Sequence, residues 1–86
     1  MATSDADEKY MALALELAEK GRGKVEPNPM VGAVLVKNGE IVGKGYHQVF
    51  GGAHAEIYAI HEGGTNCRGA TLYVSMEPCA HFGKTS

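Results

Sequence analysis

Near the N-terminus, apolar positions recur at a helical spacing. Tyr10, Leu13, Ala14, Leu17 and Ala18 fall at i, i+3, i+4, i+7 and i+8, which makes one apolar stripe. The pattern predicts a helix from Asp5 to Lys20. Asp5, Asp7 and Glu8 suit its positive end, Lys20 suits the other, and Gly21 is a natural stop. Met11 and Leu15 widen the stripe, so this helix is expected to pack on a sheet.

The period then changes. Pro27-Asn28-Pro29 cannot continue a helix and pushes its neighbours toward extended backbone. Val31 to Val36 is almost wholly apolar, which fits a strand buried on both faces. Asn38-Gly39 is a strong hairpin signal, and Ile41 to His47 returns as a second strand. Gly43 and Gly45 inside that strand point to a bulge or to the close approach of another group. His54 to Glu62 reads as a short helix with Ile57, Tyr58 and Ile60 as core candidates. A turn over Thr65 to Gly69 leads to a third strand, Ala70 to Ser75. Pro78 stands where a further helix would start. The order is α-β-β-α-β. A strand-helix-strand crossover is expected to set the third strand parallel to a neighbouring strand.

Composition narrows this little. The chain has 86 residues, 44% hydrophobic and 21% charged, and reads as the front part of one α/β domain. Its net charge of −2 gives no basic footprint for nucleic acid or for an anionic membrane. No apolar run approaches a membrane span. The polar, acidic start is no secretory signal, and two cysteines without one suggest a reducing cytoplasm.

Two short patterns can carry chemistry. His54-Ala55-Glu56 puts an imidazole at a helix start, where it can face a metal, and a carboxylate two residues on. Alone, His54 is more often a capping or surface histidine. Pro78-Cys79 alone is equally a buried free cysteine. Topology brings them together, because a crossover places the helix start and the strand's C-terminal end at one edge of the sheet. Zinc deaminases carry His-x-Glu followed by Pro-Cys-x-x-Cys, and all of this but the last cysteine is present, in order.

From about Asp7 onward the chain resembles the deaminase domain of riboflavin-biosynthesis pyrimidine deaminases, which act on diaminohydroxyphosphoribosylaminopyrimidine. The resemblance rests on Pro27-Asn28-Pro29 with Val31-Gly32-Ala33-Val34, on Gly45-Tyr46-His47, on His54-Ala55-Glu56, and on Glu77-Pro78-Cys79-Ala80-His81-Phe82-Gly83-Lys84-Thr85. Nucleoside and tRNA deaminases carry a cysteine where this chain has Phe82. The riboflavin type instead has a longer His-aromatic-Gly-Lys/Arg-Thr insert.

The resemblance implies a cytidine deaminase-like fold, a mixed sheet with helices on both faces, here incomplete as α-β-β-α-β. Residues 1–86 would be the N-terminal portion of a zinc-dependent deaminase domain. His54 and Cys79 would be zinc ligands and Glu56 the proton shuttle. Asn28 and His47 would line the pyrimidine pocket, and His81 and Lys84 would lie near the ribose phosphate. The implied reaction is hydrolytic deamination of the phosphorylated pyrimidine, within a longer parent. That parent is expected to be cytoplasmic, with a homo-oligomer and a fused NADPH-dependent reductase domain both left open, and without nucleic-acid or membrane partners. The third ligand of the family, a cysteine, would fall two residues beyond Ser86. Cys67 is a poor substitute, because a strand of six residues spans ~20 Å and separates it from Cys79. The alternative is an inactive fragment or a binding module lacking that third ligand.

Overall fold

The first helical stripe forms α1 (Asp5–Glu19), with Tyr10, Ala14, Leu17 and Ala18 buried. The computed structural model describes residues 5–25, 29–48, 52, 54–77 and 81–85. After α1 come β1 (Met30–Lys37), β2 (Glu40–Tyr46), α2 (Ala55–Gly63), a 3-10 turn (Gly64–Cys67), β3 (Thr71–Glu77) and β4 (His81–Thr85). The hairpin turns where Asn38-Gly39 predicts. Asn38 has φ 52° and Gly39 has φ 77°, the left-handed pair that lets a two-residue loop follow the twist of its strands.

The strands lie in the order β2-β1-β3-β4, and every ladder is antiparallel. The expectation that β3 is parallel to a neighbouring strand is therefore corrected. β3 runs parallel to β2, but β1 lies between them. The hairpin has already filled one edge of β1, and α2 covers β2 and β1, so the chain comes down beyond β1. The helix expected from Pro78 is also corrected. Pro78 itself lies outside the described residues, but His81–Thr85 is a strand, which takes the outer edge of β3 through pairs such as Met76–His81 and Tyr73–Lys84.

Side chains alternate across the sheet, and each face carries a helix, as the α/β reading requires. Val34, Val36 and Tyr73 pack under Tyr10, Ala14 and Leu17 of α1. Val31 and Ala33 pack under Ala55 and Ala59 of α2. Both helices sit on glycine. A Cβ at Gly32 would overlap the Ala14 carbonyl, and one at Gly43 or Gly45 would overlap the carbonyl of Ala59 or Ala55. The signal of Gly43 and Gly45 thus marks the approach of α2. A bulge is present as well, where the register shifts between Leu35 and Val36.

Two tyrosines fasten α1 to the sheet. Their rings lie 5.3 Å apart. Tyr10 donates to the Gly39 carbonyl at 3.0 Å, and Tyr73 donates to Asp7 Oδ1 at 2.6 Å. Burial, and then the neighbouring Asp7 carboxylate, push the Tyr73 phenol up to about 12 from 10.0. The folded state holds the proton more tightly than the unfolded chain does. This stabilisation is therefore complete below pH 10 and is lost as the pH rises toward 12. Urea unfolding across that window should show stability falling, and Tyr73→Phe should flatten the slope. At neutral pH the same variant should lose about 1.5–3 kcal/mol, as expected for a hydrogen bond to a charged acceptor.

Candidate active site

Register sets which strand ends meet. Gly32 pairs with Tyr46 across the hairpin, and Met30 pairs with Glu77 across the other ladder. The start of β1 and the C-terminal ends of β2 and β3 therefore share one edge of the sheet. His47 follows β2 there, held by its N–H to the Val31 carbonyl at 2.9 Å. The turn after α1 presses on it from behind, since a Cβ at Gly21 would lie 2.5 Å from the His47 carbonyl oxygen.

His54 is the N-cap residue of α2, with extended backbone (φ −73°, ψ 157°). Its carbonyl accepts the Ile57 N–H at 3.0 Å, but its side chain makes no capping hydrogen bond. The imidazole is exposed and open to a ligand. Glu56 is half-buried in the first turn of the same helix. The His47 ring lies 5.5 Å from the His54 ring, centre to centre, tilted by 60°. His47 is only 3% exposed, and its Nε2 has no hydrogen-bond partner among the described residues. A buried ring nitrogen without a partner is costly, and this one stands beside an open imidazole.

The fold thus brings His47, His54 and Glu56 to one edge. Asn28 and Cys79 lie outside the described residues. His81 pairs with Met76, next to that edge, whereas Lys84 pairs with Tyr73, further down the sheet. Among the described residues, no group of three or more His, Cys, Asp or Glu is placed to hold a metal. The donor chemistry nevertheless suits zinc, with the open imidazole of His54 and, in the sequence, the thiol of Cys79.

Cys67 ends the 3-10 turn before β3, at the opposite end of the sheet, where Thr71 pairs with Val36. Its Sγ lies 3.3 Å from the Ile60 carbonyl oxygen, to which it donates. Ser75 escapes sequence reasoning. It is fully buried on β3, and its Oγ has no partner among the described residues. One serine in an apolar strand gives no warning of this, because only the pairing shows which face it takes.

Over residues 4–82 the sequence matches the cytidine and deoxycytidylate deaminase zinc-binding region. The chain belongs to that family. Among its relatives are the riboflavin biosynthesis proteins RibD of Aquifex aeolicus, 56% identical over 94% of this chain, and of Escherichia coli, 57% identical over 92%. A solved structure of Acinetobacter baumannii RibD superposes with a TM-score of 0.81 at 45% identity, covering 91% of this chain and 22% of that one. A Thermotoga maritima diaminohydroxyphosphoribosylaminopyrimidine deaminase/5-amino-6-(5-phosphoribosylamino)uracil reductase superposes at 0.79 with 52% identity, covering 91% and 23% respectively. The chain spans 23% and 22% of the length of the two curated relatives named first. These matches bear out the resemblance to riboflavin-biosynthesis deaminases and the cytidine deaminase-like fold.

The position of Cys67 gives a direct test. In a longer parent carrying the whole domain, Cys67→Ser should leave the zinc stoichiometry, measured by elemental analysis, unchanged.

Proposed function

We propose that this chain forms the front of a zinc-dependent deaminase domain that hydrolyses the amino group from a phosphorylated diaminopyrimidinone in riboflavin biosynthesis. The observation that carries the reading is the open imidazole of His54 at the start of α2, with Glu56 in the first turn and the buried ring of His47 5.5 Å away. The family match and the RibD relatives support the chemistry and the choice of pathway.

In this reading His54 and Cys79 hold the metal, with a third ligand from outside these 86 residues. Zinc, when bound, supplies Lewis acidity that lowers the pKa of water toward about 7. Glu56 would take one proton from the attacking water and deliver it to the ring nitrogen, then take the proton of the added hydroxyl and deliver it to the departing amine. Water adds to the amino-bearing carbon, the C–N bond breaks, and ammonia leaves. His47 Nε2 and Asn28 orient the pyrimidine. His81 and Lys84 are assigned to the ribosyl phosphate. A second reading, a binding module or inactive fragment, draws on the position of Cys67, at the opposite end of the sheet from His54. Zinc stoichiometry of a longer parent carrying the whole domain separates the two.

The greater length of the relatives, and the deaminase/reductase from Thermotoga maritima, support a parent with a fused reductase domain. We place that parent in the reducing cytoplasm.

Glu56→Gln in such a parent should abolish deamination and leave zinc bound. Turnover and metal content of the same preparation check this, and loss of zinc would make Glu56 a ligand. Lys84→Ala should weaken binding of the phosphorylated substrate far more than that of its dephosphorylated analogue, because an ammonium–phosphate contact is charge-assisted. Equal losses in a calorimetric titration would remove Lys84 from the phosphate site.

A further inference from the structure

The β2 edge lies outside the proposed reaction. Among the described residues β2 ends the sheet on one side, and an open strand edge is a template for pairing with another chain. In an antiparallel ladder, residues alternate between facing the partner strand and facing away. The Lys44 N–H faces away from β1, and by the same alternation so do the backbone groups of Tyr46. Glu62, in the last turn of α2, reaches across, and its Oε1 accepts the Lys44 N–H at 2.9 Å. A carboxylate stands where the carbonyl of a neighbouring strand would stand. The space outside is open, a cavity of about 390 Å³ whose lining includes Leu17, Lys20, Lys44, Tyr46, Tyr58 and Glu62. α1 packs chiefly on β1 and β3, so it does not cover this edge.

We propose that Glu62 guards the β2 edge, and that the partner it keeps out is the same edge of a second copy of this chain. The edge is complementary to itself. Two β2 strands meeting antiparallel about Gly45 would place each Lys44 opposite the other copy's Tyr46. Each such pair can exchange two backbone hydrogen bonds, and no lysine faces a lysine. Tyr46 already accepts a cation here, with the Lys20 ammonium 5.8 Å from its ring centre. Lysine beside tyrosine is thus the favourable register, and Glu62 occupies its first donor. The bulge facing Leu35 and Val36 limits pairing on the other side of Lys44 and leaves Glu62 as the guard of the Lys44–Tyr46 stretch.

The test compares the whole chain with Glu62→Ala, Glu62→Gln and the double variant Glu62→Ala/Lys44→Pro. Glu62 is exposed at a helix end and alanine favours helix, so the fold is not at risk. Circular dichroism of each variant checks this. By sedimentation, Glu62→Ala should self-associate about tenfold more tightly, the loss expected when a charged hydrogen bond is removed. Glu62→Gln keeps an acceptor and should stay close to the original chain. Proline at position 44 removes the outward donor, which an edge strand tolerates, and should reverse the association. In dilute solution the Lys44 amide of Glu62→Ala should exchange with deuterium about tenfold faster, and protection should return as concentration rises. Unchanged association in Glu62→Ala overturns the proposal. So does association that survives proline at position 44, which would assign the contact to the exposed Ile57 and Ile60 of α2, 57% and 46% accessible.

Discussion

Close approach of the two helices to the sheet is the constraint on which the rest depends. Gly32 lies under the Ala14 carbonyl, and Gly43 and Gly45 lie under the carbonyls of Ala59 and Ala55. No side chain stands between helix and strand at these points, so the helix backbones rest on the sheet. The same contacts fix α2 in position. Its first residue lands above the ends of β2 and β3, which is where His54 is presented.

The candidate site follows from that placement. The His47 backbone is bonded to Val31 and pressed by the turn at Gly21, so its ring is held by the strand framework. His54 and Glu56 are carried by α2 and move with it. The site is thus shared between a strand end and a helix start, two elements locked by the glycine contacts. The His47 Nε2, buried and without a partner among the described residues, and the His54 imidazole, which makes no capping hydrogen bond, leave polar capacity unused there. Such capacity is what a ligand and a metal would take up. The deaminase family to which the chain belongs uses a metal and a carboxylate of this kind.

Among the described residues the two outer strand edges are finished differently. β4 covers the outer edge of β3 with backbone pairing, while β2 ends with a side chain from α2 on its outward donor. Glu62 belongs to the same helix that presents His54. One helix therefore carries a site residue at its start and an edge contact at its end, about two turns apart.

The sequence by itself determined the local elements and their chemistry. The α1 stripe from Tyr10 to Ala18, the Asn38-Gly39 turn, the apolar run of β1 and the glycine pair in β2 are local signals, set by the periods of helix and strand. His54-Ala55-Glu56 and Pro78-Cys79 were legible because metal chemistry restricts residue type and spacing. Tertiary structure decided the rest. Which strand becomes the neighbour of β3 depends on the edge α2 leaves free, and short-range pattern does not encode that. That Gly43 and Gly45 serve α2, that Ser75 is buried, that Tyr73 reaches Asp7, and that His47 stands beside His54 all depend on groups distant in sequence. Their energies come from contacts that exist only once the layers are packed.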